Sequence, residues 1–380
     1  MAKGIYVGID SKARKVKKAY VGVDSKARKV KKGYIGVGGV ARPFFSAEQK
    51  LVYYGKVTDL SAARAYVAAT NVGNYALIGG GFIQNKASAS KVVDAYNKSL
   101  VKSSPAEFTT GRQYLAAGSV GNYALFAGGE TNSSNGSYPT AIEVYDNNLA
   151  HTTTPQLSLG RKELATANVG NYAIFAGGYV SGSYKSSIDA YNASLTRNTD
   201  IYGLTKSRHK LAGASVGNYA IFAGGKDGGN YYATVEAYDT NLARSAPTQL
   251  RVARYDMGAA SVGNYALFAG GENSSNTYAI LDAYDENLVR TAPTSMTKVR
   301  KRLSGQNLGD YAIFAGGRDG NDAPSTIVDA YNADLVRSTP TALSYARDAM
   351  SSANVGDYAL FAGGYYDGDI SAIVEAYQVA

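Results

Sequence analysis

An eleven-residue stretch, Ser119-Val-Gly-Asn-Tyr-Ala-Leu-Phe-Ala-Gly-Gly129, constrains the fold more than any other feature, because the chain carries it seven times. The other copies occupy residues 71–81, 168–178, 215–225, 261–271, 307–317 and 354–364. Their tyrosines, at positions 75, 123, 172, 219, 265, 311 and 358, recur every 46 to 49 residues. That period suits the four strands of one propeller blade. A single small sheet cannot bury its faces, so the copies must stack on one another. Within each copy, Gly-Asn reads as a two-residue hairpin turn of type I′, whose two positions both take positive φ. Tyr-Ala-Leu-Phe-Ala reads as a strand buried on both faces. The closing glycine pair reads as a bend where a neighbouring backbone comes close.

Two further signatures share the period. One is Asp94-Ala-Tyr-Asn97, with counterparts at Glu143, Asp189, Glu236, Asp282, Asp329 and Glu375. The other is an arginine eleven residues before each hairpin tyrosine: Arg64, Arg112, Arg161, Arg208, Arg254, Arg300 and Arg347. An arginine repeated in every blade reads as a tie between adjacent blades through hydrogen bonds to carbonyls or carboxylates, with the equally faithful acids as natural partners. Together these marks resemble the Kelch family. Paired glycines, a tyrosine 13 to 16 residues further on and an arginine before the inner strand carry the likeness over residues 48–380. The resemblance implies a seven-bladed propeller. It also implies a tryptophan on each outer strand, and this chain has no tryptophan. An Asn/Ser-Leu pair (Ser99-Leu100, Asn148-Leu149, Asn241-Leu242, Asn287-Leu288) stands near that place, so the outer strands are expected to pack more lightly. The last repeat stops past its third strand, and residues 50–60 are expected to supply the missing outer strand, comparable to 241–250 elsewhere. Such closure hides the sheet edge.

The charge is lopsided. Residues 1–42 hold 12 of the 39 basic residues and 2 of the 30 acidic ones, so the segment carries +10 and the remainder is close to neutral. The segment is itself a repeat of period 14: Tyr6-Val-Gly-Ile-Asp-Ser-Lys-Ala-Arg-Lys-Val-Lys-Lys18, a near copy at 20–32 and a decayed copy at 34–42. Tyr-Val-Gly-Val reads as a strand, Asp-Ser-Lys as a turn and Arg-Lys-Val-Lys-Lys as a return strand. Arg42-Pro-Phe-Phe-Ser46 reads as the junction. These repeats are similar to N-terminal segments of structural proteins in phages of Gram-positive and gut bacteria. The expected domains are 1–43, a basic β-repeat anchor, and 44–380, the propeller. Units this short bury no core alone, so residues 1–42 are expected to order only on assembly, with one another or on an acidic partner. The anchor residues are Lys12, Arg14, Lys15, Lys17, Lys18, Lys26, Arg28, Lys29, Lys31 and Lys32. Phosphate contacts to nucleic acid are a second use of the same charges, less favoured than attachment to other virion proteins.

With strands counted outwards from the axis, the first-to-second turn and the third-to-fourth connection are nearly constant across repeats. They fall on one face. The second-to-third loops vary in length and content and fall on the other, where recognition belongs. These loops are rich in Tyr, Asn, Ser, Gly and Asp, a mixture that gives rigid amphipathic contact area and adaptable hydrogen bonds, and that also suits sugars. The expected ligand-binding residues are Asn132, Tyr138, Tyr179, Tyr184, Asp227, Asn230, Tyr231, Tyr232, Asn273, Tyr278, Asp319, Asn321, Tyr365, Tyr366 and Asp367. The alternative for all of them is a solvated turn.

Catalysis and cofactors find little footing. The chain has no cysteine and only two histidines, His151 and His209, read as surface residues. Acids such as Asp367 and Asp369 could serve a glycosidase, and the Asp-Gly runs at 227–230, 319–322 and 367–369 could offer oxygen ligands to calcium; tight turns are the favoured reading of both. No secretory signal or membrane span is evident. The expectation is an all-β, seven-bladed Kelch-like propeller with a basic β-repeat segment before it. Its expected role is that of a non-enzymatic virion-surface protein, assembled in the host cytoplasm, that binds a host glycan or protein. The alternative is a structural or protein-interaction propeller without a glycan ligand.

Overall fold

The computed structural model describes residues 50–380, apart from 85–88, 132–135, 154 and 367, and the backbone of six strands between Tyr6 and Ser46. The chain divides into two compact units, residues 1–50 with Ala380, and 51–379. The second is a seven-bladed β-propeller, and among the described residues there is no helix.

Six blades are meanders of four antiparallel strands, beginning with Ala68–Val72, Tyr75–Gly79, Val93–Asn97 and Lys102–Ser103. The seventh takes Ser351–Val355, Tyr358–Ala362 and Val374–Val379 from the C-terminal end and closes on Leu51–Lys56, as expected. Elsewhere the outer strand is only two residues long; Arg244–Ser245 stands where residues 241–250 were expected. The Asn-Leu pair is not on that strand. It forms the preceding turn, where Leu242 sits in the left-handed region at φ 63° and Asp239 Oδ1 accepts the amides of Asn241 and Ala243.

The second strand explains why the blades stack. In Tyr123–Ala127, Leu125 and Ala127 face the next blade while Ala124 and Phe126 face the previous one. Seven such interblade layers close the ring, the last between blades seven and one. Each also receives the tyrosine of the second signature. Tyr238 is fully buried and its hydroxyl donates to the carbonyl of Tyr202 at 2.9 Å; its six counterparts each donate to a carbonyl 35 to 39 residues upstream.

The repeated arginines are fully buried. Each guanidinium pairs with the signature carboxylate of its own blade, at 2.5–2.8 Å from Arg112 to Arg347 and also between Arg64 and Asp94. The tie between blades is therefore not the ion pair. It is the arginine carbonyl, which accepts the amide of the second glycine in the blade before: Gly81 on Arg112 at 2.8 Å, and so round the ring to Gly364 on Arg64 at 2.9 Å. The first glycine of the pair has φ near 65–70° and lies so close to that carbonyl that a Cβ on Gly128 would stand 2.4 Å from the Arg161 oxygen.

The hairpin turn differs from expectation. Its glycine has positive φ, 55° at Gly121, but its asparagine does not. That is the φ pattern of type II′, which asks for glycine first and spares the second residue a left-handed conformation. The glycine also lies against the outer turn of the next blade: a Cβ on Gly73 would meet Asn147 Cβ at 2.9 Å.

In the N-terminal unit the backbone forms three antiparallel hairpins, Tyr6–Ile9 with Lys12–Lys15, Ala19–Val23 with Lys26–Val30, and Lys32–Val37 with Val40–Ser46. The register repeats. Arg14 stands opposite Val7 and Arg28 opposite Val21, while Lys15 and Lys29 stand opposite Tyr6 and Tyr20. Lys32 opens the third hairpin rather than ending the second, and residues 42–46 belong to a strand rather than a free junction.

Replacing Arg208 with Met strands the Glu236 carboxylate in the core. Loss of one partner of a buried pair costs about 3–5 kcal/mol. Denaturant unfolding of R208M should show that loss, and R208M combined with Glu236→Leu should recover much of it; a loss below about 1 kcal/mol in the single variant would contradict the role given to the pair.

Candidate functional site

The variable face is built by the loops after the glycine pair and by the segments leading into the innermost strands. At its centre the residue two places after each repeated arginine turns toward the axis. These seven are Tyr66, Tyr114, Glu163, Lys210, Asp256, Arg302 and Ala349, all at φ 52–56°. Their backbones join head to tail. Each amide donates to the carbonyl of the equivalent residue in the preceding blade, from Tyr114 on Tyr66 through to Tyr66 on Ala349, at 2.9–3.3 Å. The collar encloses a cavity of about 310 Å³ floored by apolar residues such as Leu115, Leu211 and Met350.

The cavity is two-sided. Blades seven, one and two contribute rings: Tyr66 and Tyr114 lie 4.1 Å apart, Tyr365 lies 5.4 Å from Tyr66, and Phe82 lies 6.2 Å from Tyr365. Blades three to six contribute an alternating chain of charge. His209 Nδ1 lies 2.7 Å from Glu163 Oε2, Lys210 Nζ 3.8 Å from Glu163 and 3.3 Å from Asp256, and Arg302 Nε 3.3 Å from Asp256. Arg302 also approaches Asp348 at 3.8 Å, and Arg318 Nε reaches it at 3.0 Å.

The chain sets its own protonation. Burial pushes Glu163 up, but the His209 hydrogen bond and the Lys210 charge outweigh it and hold the carboxyl below its ordinary range. Burial pushes Lys210 down, yet Asp256 and Glu163 leave it raised. At Asp348 burial wins, and its pKa is raised despite Arg318 and Arg302. Burial lifts the Tyr365 phenol to about 12.

Of the expected ligand residues, Tyr179, Tyr184, Tyr231 and Tyr365 lie around this mouth. Tyr179 and Tyr184 flank His209 at 5.8 and 5.0 Å, and Tyr231 stacks on Tyr255 at 5.6 Å. Lys226 stands 4.3 Å from the Tyr255 ring. Others serve their own loops. Asp227 Oδ1 accepts the amides of Gly229 and Asn230, and Tyr232 donates to Asp227, which lowers that carboxyl's pKa. Asn273 caps Ser275 and Asn276 and donates to Tyr278, and Asp319 accepts the amides of Asn321 and Ala323. Tyr138 is half-buried beside Gly160, and Tyr366 is 40% exposed and edge-on to Tyr345. Asn132, Asp367, Lys17, Lys18 and Lys31 lie outside the described residues. Neither histidine is the free surface residue expected: His209 is buried, and His151 bonds Glu143 at 2.7 Å while stacking on Tyr145.

The collar itself went unread in the sequence. Its signal was there, since position two after a constant arginine holds Tyr, Tyr, Glu, Lys, Asp, Arg and Ala in turn. Among the described residues no group of three or more His, Cys, Asp or Glu could hold a metal ion. No family model matches the chain, and no curated protein is similar to it.

A carboxyl whose pKa is depressed on folding contributes stability above its unfolded pKa, about 4.3 for Glu, and loses it as pH falls through the folded value. Glu163→Gln should therefore cost about 1.5–3 kcal/mol at neutral pH, and the gap to the parent should narrow as pH falls below about 4. Denaturant unfolding across that range checks it; a gap independent of pH would remove Glu163 from the network.

Proposed function

We propose that this chain is a non-enzymatic structural protein of a phage particle, built on a Kelch-type propeller. On this reading the basic N-terminal repeats anchor it to other virion proteins or to its own copies, and the variable face binds a glycan or protein of the host surface. The observation that carries the reading is the contrast between two faces of one repeat. Sevenfold constancy in the turns on one side accompanies Tyr-, Asn- and charge-bearing diversity on the other, and selection for fold alone leaves no reason for that diversity to gather round the axis. The double glycines, buried arginines and buried tyrosines support the Kelch assignment. The recurring hairpin register, with cations opposite Val and Tyr, supports the anchor: strand addition supplies backbone bonds and the lysines supply charge attraction. Nucleic acid is the less favoured partner for the same charges. No chemistry is assigned to the titratable groups of the mouth, since they engage one another.

A second reading, a propeller that only holds proteins together, draws on the loops in which Asp227, Asn273 and Asp319 spend their polar atoms on turns. Glycan arrays and intact host cells probed with the full chain separate the two. Tyr231→Ala and Tyr366→Ala should each weaken binding about tenfold, or about 1.4 kcal/mol; absence of binding to any glycan or cell favours the second reading.

Attachment should weaken as salt rises, because exposed charges are screened beyond ~10 Å at 0.1 M. Replacing Lys15, Lys17, Lys29 and Lys31 by Glu should abolish incorporation into particles and leave the propeller's unfolding unchanged; normal incorporation of that variant overturns the anchor.

A further inference from the structure

The collar keeps side chains where glycine would be cheaper. A non-glycine residue held in the left-handed region costs on the order of 1–3 kcal/mol, and such strain gathers at ligand sites. Here the same backbone place is left-handed in all seven blades and is never glycine. Six of those side chains line the cavity of about 310 Å³ as two arcs, an aromatic one of Tyr66 and Tyr114 and a charged one of Glu163, Lys210, Asp256 and Arg302, and Asp348 and Arg318 continue the charged chain from Arg302. That volume sits at the small end of the ~300–1,000 Å³ typical of small-molecule sites. It has room for a sugar ring and not for a folded segment of a partner.

The charged arc is balanced. The acids Glu163, Asp256 and Asp348 alternate with the cations Lys210, Arg302 and Arg318, each within 4 Å of a partner. Such an arc offers adjacent acceptors and donors with no net charge, so it has no reason to prefer an anion or a cation. A vicinal diol matches it, because each hydroxyl both donates and accepts. The opposite arc, Tyr66 and Tyr114, lines the cavity and offers it apolar ring edges that an apolar C–H face can pack against. Lys162, bonded to Glu130 at 2.7 Å, stands over the Tyr114 ring 5.3 Å from its centre and helps hold the ring in place.

We infer that the axial mouth of the variable face binds one neutral sugar ring, packed against the ring edges of Tyr66 and Tyr114 and hydrogen-bonded along the arc from Glu163 to Arg302. This rests on the host-recognition reading above and names the ligand class and place within it. The mouth holds the terminal sugar; the outer loops contact the rest of the glycan.

The test is ligand-observed NMR and calorimetry on the full chain. The probes are methyl glycosides of glucose, galactose, mannose and N-acetylglucosamine, with glucuronate, glucosamine and adenosine as controls. At least one neutral glycoside should bind, more tightly than every control. Tyr114→Ala should weaken it at least tenfold, whereas Tyr114→Phe should stay within about threefold. Asp256→Asn leaves the arc one positive charge in excess, and should shift the preference toward glucuronate by about tenfold; a purely structural role would not move that ratio. The inference is overturned if no neutral glycoside binds, if a charged probe or adenosine binds better, or if Tyr114→Ala binds as the parent does. Should Tyr114→Ala keep full binding to arrays and cells while Tyr231→Ala and Tyr366→Ala lose it, recognition lies in the loops: the sugar mouth falls and the host-recognition reading stands. If arrays, cells and free glycosides all fail, both fall.

Discussion

A guanidinium taken out of water needs partners for its donors, and each of the seven blades meets this need with a buried carboxylate. Six of the seven arginines also donate to the carbonyl of the first glycine of the pair, as when Arg254 donates to Asp282, Gly270 and Phe268; Arg208 donates to the Lys206 carbonyl instead. Removing ions from water is costly, so a pair of this kind adds little net stability over an apolar isostere. What it fixes is position. The charge holds the arginine backbone where its carbonyl can take the glycine amide of the preceding blade, and that bond sets the spacing of the ring. The glycines follow from this constraint, because a Cβ would collide with the carbonyl they approach.

Much of this was legible from residues 48–380 because repetition makes a weak signal strong. One Tyr-Ala-Leu-Phe-Ala run could be a strand or a buried helix turn; seven at one spacing could only be blades. Leu51–Lys56 was legible as the closing strand because the last repeat lacked one. What was misread was local. Gly-Asn suits type I′ by composition, but its order, glycine first, belongs to type II′, and nothing in the period distinguishes the two. The outer strands were drawn too long because the Asn-Leu pair looks like strand sequence, whereas the Asp or Asn before it gathers two amides and bends the chain. The arginine was read as a bridge between blades, but charge complementarity in sequence does not say which blade a partner belongs to.

The candidate site divides along the same line. Tyr179, Tyr231 and Tyr365 stand out in the sequence because loops that vary are conspicuous. Tyr66, Tyr114, Glu163, Lys210, Asp256 and Arg302 were passed over because each is a single variable position inside an otherwise constant frame. Asp227, Asn273 and Asp319 read as ligand groups in sequence, where composition cannot tell a polar atom that faces solvent from one that accepts its own loop's amides.

The backbone ring under the collar has a property that no helix shares. Helix peptide dipoles add along the axis and leave charged ends. The seven backbone hydrogen bonds that join Tyr66 through Ala349 instead run round a closed circuit, donor to acceptor, with no first or last member. Their tangential dipoles cancel in the sum, so the frame imposes no charge preference of its own at the mouth. Because every link is backbone to backbone, exchanging a collar side chain rewrites the chemistry of the opening without unfastening the ring. The fold thus presents seven side-chain positions on one backbone hoop, and a lineage could change what it grips by altering the side chains while the hoop stays closed.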